Sequence, residues 1–345
     1  MTEVQLPTQQ RRSLLIKPEE VRTETAPMPL PGPDQVLIEV SAVGICGSDV
    51  HYYEHGRIAD FVVEEPLVLG HEASGVIRGV GSDVTDRHVG QRVALEPQET
   101  CGRCRQCQAG RYNLCPQVQF YATPPVHGAF AEYVVLDAAR AHPIPDSLSD
   151  EAGALIEPLA VGVAANRKAA VEPGDRVLVT GAGPVGLLAA GVARARGGWV
   201  AVSDTNAYRL QVARDRGADA IIDAAQGSVR DQQGEFDVIL ECSGAGPAIR
   251  GAFDAAAPAA RIVLIGMGAA SQELPVALIQ NRELWVTGVF RYANCYPAAI
   301  ALAADGSVEL DSLVTARFGI DEVADALTAL RRDPHTLKPV VHPHR

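Results

Sequence analysis

Three sets of residues in this 345-residue chain have the types and spacing to do chemistry. The first is Cys46, His71 and Glu72. Soft sulfur, imidazole and carboxylate together suit zinc and leave one coordination position open. By spacing alone this is a modest signal, because a single cysteine or histidine often only packs. The second set is Cys101, Cys104, Cys107 and Cys115, spaced Cys-x2-Cys-x2-Cys-x7-Cys. Four thiolates close a tetrahedral shell around zinc and leave no position for a substrate, so such a site holds a loop. The run also resembles ferredoxin spacing, which keeps an iron–sulfur cluster or free thiols as alternatives.

The third set is Gly181-Ala182-Gly183-Pro184-Val185-Gly186, a Gly-x-Gly-x-x-Gly run after an apolar β segment and before a helical one. Gly181 permits the tight turn, Gly183 lets the backbone approach a pyrophosphate, and Gly186 allows close helix–strand packing. Pro184 and Val185 open the helix whose free N–H groups face the phosphates. Asp204 follows 21 residues after Gly183, at the end of the next β segment. A carboxylate there accepts from adenosine ribose hydroxyls and repels a 2′-phosphate, which favours NAD over NADP. Arg209 lies nearby and pulls the other way.

These sets need elements to position them. Residues 21–95 read as short strands broken by turns, among them 31–33, 47–48 and 81–83, which predicts a partly open β-barrel. From 150 to 170 apolar residues recur at helical spacing. Strands then alternate with helices: strands at 176–180, 199–203, 220–222, 236–241, 261–265 and 283–290, helices at 184–196, 206–216 and 247–256. That alternation predicts a doubly wound parallel sheet, so the fold class is α/β. Helices at 296–305 and 320–332 and a strand at 338–341 close the chain. The expected domains are 1–159 with 298–345, and 160–297. Apolar residues make up 47% and the formal net charge is -12. An acidic surface argues against nucleic-acid and membrane-surface partners. No apolar run spans a membrane or forms a secretory leader, so a cytoplasmic protein is expected.

Gly70-His71-Glu72-x2-Gly75-x5-Gly81-x2-Val84 resembles the zinc signature of the medium-chain alcohol dehydrogenases. The cysteine cluster is similar to that family's structural-zinc lobe. The runs 46–58 and 288–292 look like its sorbitol and xylitol (polyol) dehydrogenase branch. The resemblance spans nearly the whole chain. It implies a GroES-like catalytic domain joined to a Rossmann domain. It implies a catalytic zinc held by Cys46, His71 and Glu72, with Glu157 in the site and its coordination left open. Ser48 and His51 match proton-relay positions. Tyr52, Phe120, Thr123, Arg291 and Tyr292 match positions lining a polyol pocket. Gly266, Met267, Gly268, Val289, Phe290 and Arg291 match further cofactor contacts. Some members of the branch lack the structural zinc, whereas all four cysteines are present here.

The expected activity is therefore oxidation of a secondary alcohol of a polyol by NAD, with zinc as Lewis acid. Alternatives are another zinc dehydrogenase of the family, acting on threonine, butanediol or a sugar acid, and a non-catalytic NAD-binding redox sensor. A structural zinc module is a further alternative, but it leaves the glycine run unexplained. The resemblance also implies a homotetramer or homodimer.

Overall fold

The computed structural model describes residues 6–345. Two compact units emerge, residues 1–157 with 310–345, and residues 158–309. The crossing back to the first unit thus falls at Leu310, later than the 298 expected. The reason is packing in the second unit: the Tyr296 ring lies tilted against Tyr292 with centroids 5.5 Å apart, and Val308 packs on Gly191.

The first unit is built on the strand Gln35–Gly44. It pairs antiparallel with Glu72–Val80, with Tyr133–Asp137, and at its end with Lys338–His342. The sheet runs from Ala141–Pro143 through Arg92–Leu95, Glu72–Val80, Gln35–Gly44 and Lys338–His342 to Val314–Gly319, without closing on itself. This is the partly open barrel. Register shifts at Leu37/Ile38 and Val40/Ala42 bend the central strand, as an extra residue on one side of a ladder does. Val36, Ile38, Val40, Ile77, Val93 and Phe130 are buried in one core with it.

The second unit is a six-stranded sheet in the order Ala220–Asp223, Trp199–Asp204, Arg176–Thr180, Phe236–Glu241, Ala256–Leu264, Trp285–Gly288. Every pairing in it is parallel. Its middle strands are apolar on both faces, and Val177, Leu178, Val179, Val238, Ile239 and Leu240 are fully buried. That is the signature of a sheet covered on both sides.

Four local expectations change. The turn read at 47–48 opens a helix, Gly47–His55. The single helix read over 150–170 is two, Asp150–Ala154 and Ile156–Lys168. Pro158 has no N–H to return to Ala154, so the ladder breaks there. The strand read from 261 starts at Ala256, and a short helix, Val276–Asn281, lies in a stretch to which the sequence assigned no element. Among the described residues no helix is long and apolar enough to cross a membrane.

Candidate functional site

The site begins at Cys46. Cys46 caps the helix Gly47–His55, and Asp49, in the helix's first turn, turns back to accept its N–H at 3.0 Å. The other Asp49 oxygen accepts from Gly70 N at 2.9 Å and lies 3.6 Å from His71 Nδ1. One buried carboxylate thus fixes the segments that carry Cys46 and His71. Burial alone would lower the His71 pKa, but the charges of Asp49 and Cys46 and their hydrogen bonds raise it well above the usual value. Glu72 pairs with Gly44 across the two strands. A Cβ on Gly44 would meet Glu72 Oε2 at 2.2 Å, so only glycine leaves that carboxylate its place.

The ligand atoms of Cys46, His71 and Glu72 all lie within 4.8 Å of one another. His71 and Glu72 are buried. Lys338 Nζ donates to both Glu72 oxygens, at 2.8 and 2.7 Å, and to the Ile45 carbonyl at 2.8 Å. Burial would push this ammonium down, but the charges of Glu72, Cys46 and Glu157 outweigh it and hold Lys338 above its ordinary value. A sulfur, an imidazole and a carboxylate thus offer three donors at one place, with Lys338 already bound to the carboxylate. Each Glu72 oxygen keeps a lone pair beyond the lysine. The donor set fits zinc with one position open.

Glu157 is 5% exposed, and its charge reaches Lys338, yet it lies outside the set of mutually close donors. Ser48 is half-buried and His51 exposed, one turn apart on the same helix. The Phe120 ring sits 5.4 Å from the His71 ring. Thr123 bridges to Val126 in the turn after Phe120. Tyr52 packs into the core of the first unit at 3% exposure. Arg291 and Tyr292 belong to the second unit. There the Arg291 guanidinium lies over the Phe290 ring at 4.7 Å, and Tyr292 is 1% exposed.

All four lobe cysteines are free thiols. Their sulfurs are 3.5 Å apart for Cys104–Cys107 and Cys115–Cys101, and 4.0 Å for Cys101–Cys107. A tetrahedron with Zn–S bonds of about 2.3 Å has edges of about 3.8 Å, so the sulfurs stand at separations that one zinc ion would fit. A disulfide is far shorter, and a multi-iron cluster would spread the four sulfurs. Backbone N–H groups from Arg103 and Cys104 bring Cys101 down to about 6, while desolvation takes Cys107 up to about 11. Cys104→Ser is expected to remove one zinc per chain and lower the melting temperature, leaving turnover per folded molecule within about threefold. Metal analysis, calorimetry and active-site-normalised rates check it.

The lobe is tied to the first unit by Glu96, which is 1% exposed. It accepts from Tyr112 of the lobe at 2.7 Å, Arg140 at 3.1 Å, His142 at 2.7 Å and Gln98 at 3.0 Å. Burial would raise its pKa, but the His142 bond and the Arg140 charge, with Tyr112 and Gln98, hold it below the usual 4.5. A depressed folded value means the stabilisation is full above the unfolded value and fades as pH falls through the folded one. Glu96→Gln is expected to cost stability at pH 7, with the gap to wild type closing below about pH 4. Urea melts at both pH values measure this.

In the second unit the glycine run forms the turn between the strand Arg176–Thr180 and the helix Pro184–Ala195. Gly181 has φ +87°, beyond easy reach of other residues. Gly183 has open space above it, and a Cβ on Gly186 would strike the Gly181 carbonyl at 1.9 Å. Gly183 caps the helix Pro184–Ala195 with Pro184 in its first turn. Asp204 accepts from Ala182 N at 2.7 Å and Asn206 N at 2.9 Å, which holds its carboxylate beside the turn. The Arg209 Nε is buried without a hydrogen-bond partner. Gly266, Met267, Gly268 and Val289 follow the carboxyl ends of the last two strands, and Val289 N donates to Leu264 O at 3.0 Å.

Two contributors escaped the sequence reading. Asp49 carried a signal, an acid three residues after the helix cap. Lys338 carried none, since 266 residues separate it from Glu72.

Residues 32–146 match the alcohol dehydrogenase GroES-like domain family, and residues 184–305 match the zinc-binding dehydrogenase family. The chain is 41% identical to sorbitol dehydrogenase of Bacillus subtilis over 350 residues, covering 99% of each. A chain from Sinorhizobium meliloti 1021 solved with NADP is 31% identical, with a TM-score of 0.90 over 98% of this chain and 100% of that one. An alcohol dehydrogenase from Escherichia coli CFT073 solved with NADH is 30% identical, with a TM-score of 0.91 over 98% and 100%.

Proposed function

The chain belongs to the zinc-binding alcohol dehydrogenases, and from that premise we propose that it oxidises a secondary alcohol of a polyol such as sorbitol or xylitol to a ketose with NAD. It is a zinc-dependent, NAD(P)-linked dehydrogenase. The observation that carries the reading is the convergence of Cys46, His71 and Glu72 on one point. The relatives named sorbitol dehydrogenase support the polyol class.

Cys46, His71 and Glu72 would hold a zinc ion, whose Lewis acidity would make an alcohol proton labile near neutral pH. Asp49 keeps Cys46 and His71 in register through the two N–H groups it accepts. Lys338 orients Glu72 and balances the negative charge of the site. Ser48 Oγ would accept the alcohol proton as it gives up its own toward His51, which is exposed and would pass a proton to water. A bound NAD would supply the hydride acceptor, which is the chemistry of the cofactor itself. Phe120, whose ring lies beside His71, would select the substrate together with Thr123 and Glu157 of the same unit. Cys101, Cys104, Cys107 and Cys115 hold a structural zinc.

NAD is preferred because Asp204 presents a fixed negative charge beside the fingerprint turn, supported by its two backbone bonds. The protein acts as a homo-oligomer, a reading supported by the sheet edge Trp285–Gly288, where Trp285 is 75% exposed. That no disulfide joins any of the seven cysteines supports a reducing, cytoplasmic setting. The test is NADH formation with sorbitol, xylitol, arabinitol, galactitol, 2,3-butanediol and threonine. Polyols are expected to lead. Faster turnover of threonine or butanediol would replace the polyol assignment, and no turnover of any would favour a cofactor-binding sensor.

A further inference from the structure

Glu241 ends the strand Phe236–Glu241, at 1% exposure. Its Oε1 accepts from Thr180 Oγ1 at 3.1 Å, Ser243 N at 3.0 Å and Gly244 N at 3.1 Å, and from the Ser243 hydroxyl. Its Oε2 also faces Gly244 N, at 3.1 Å. The Glu241 carbonyl meanwhile accepts from Ile265 N at 2.8 Å and Gly266 N at 2.9 Å. One residue therefore grips three strand ends: 180, 242–244 and 265–266.

Those ends meet at a particular place in the sheet. The chain starts at Arg176–Thr180, builds outward through Trp199–Asp204 and Ala220–Asp223, then returns to lay Phe236–Glu241 on the other side. The order reverses between Thr180 and Glu241, which are direct neighbours in register. A dinucleotide binds outside the carboxyl ends of the strands at such a reversal. Asp204 lies on the adenosine side, so the nicotinamide half extends over the ends of the last three strands.

Backbone there is packed without slack. A Cβ on Gly244 would strike the Met267 carbonyl at 2.2 Å, and one on Gly268 would strike the Gly244 carbonyl at 2.0 Å. A Cβ on Gly266 would meet Gly244 N at 2.2 Å. Gly244 itself sits at φ +68°. The loop 266–268 therefore rests on the turn 242–244, and the Glu241 carboxylate sets that turn.

We propose that Glu241 is a positioning residue for the nicotinamide half of the cofactor: its carboxylate holds the Ser243–Gly244 turn, and through it the Gly266–Gly268 loop, in the shape that half binds. The proposal rests on the dinucleotide reading above. Glu241→Gln keeps the side-chain shape but replaces one acceptor oxygen with an NH2 and removes the charge that strengthens these bonds.

The test is calorimetric titration of the full chain with NADH and with ADP-ribose, which carries the adenosine and pyrophosphate but no nicotinamide. Glu241→Gln is expected to weaken NADH about tenfold or more while ADP-ribose changes less than about twofold. The KM for NAD should rise, and a shorter fluorescence lifetime of bound NADH should report a looser nicotinamide. Equal weakening of the two ligands, or no weakening of either, overturns the proposal. Should Glu241→Gln not fold, Ser243→Ala removes one of the donors and decides the question, with the same selective loss expected at about threefold. If wild-type protein binds neither ligand, the dinucleotide reading fails instead.

Discussion

Cys46→Ser is expected to lower turnover at least about 1,000-fold, a loss of roughly 4 kcal/mol of transition-state stabilisation. NADH affinity should stay within about twofold, because the glycine fingerprint and Asp204 lie in a separately compact unit. The chain should hold one zinc rather than two, the lobe keeping its own. The reasoning is local. Cys46 is the soft donor of the set, and its N–H is already captured by Asp49, so the helix Gly47–His55 keeps its start when sulfur becomes oxygen. A serine hydroxyl is a poor zinc ligand at neutral pH. Rates, metal content and a fluorescence titration on one preparation separate this from unfolding, in which all three would fall together.

Asp204→Ser is expected to shift the preference between NAD and NADP by about 10- to 100-fold towards NADP, or about 1.4–2.7 kcal/mol. The carboxylate is held by two N–H groups, so its charge does not swing away from an approaching 2′-phosphate. The measurement is kcat/KM for both cofactors in wild type and variant. A wild type that already prefers NADP would show that Arg209, not Asp204, governs the ribose.

What could be read from the residues follows the range of the interactions. The fingerprint is a local device: strand, φ-positive glycine, helix start and acid lie within about one supersecondary unit, and all stand where expected. The cysteine lobe is equally local, with 14 residues between its ends in sequence number. The helix at 47–55 was hidden because Gly47 and Ser48 are turn residues by type. What starts it is the reach of Asp49 back to Cys46 N, a capping contact strong enough to override propensity. The break at Leu155 was visible in Pro158, but the apolar spacing ran through it. Lys338 could not be found, since a lysine on a terminal strand shows no local sign of a carboxylate far away in the chain. The late crossing at Leu310 depends on Tyr292, Tyr296 and Val308 packing within the second unit, again a tertiary fact.

Reconstitution tests the central claim most directly. Chelator-treated protein, still folded and still binding NADH, is titrated with zinc while sorbitol oxidation is followed by NADH absorbance. The account predicts near-zero rate without metal and recovery that saturates as a second zinc per chain is bound, with no such recovery in Cys46→Ser. Undiminished oxidation by the metal-stripped protein would contradict it.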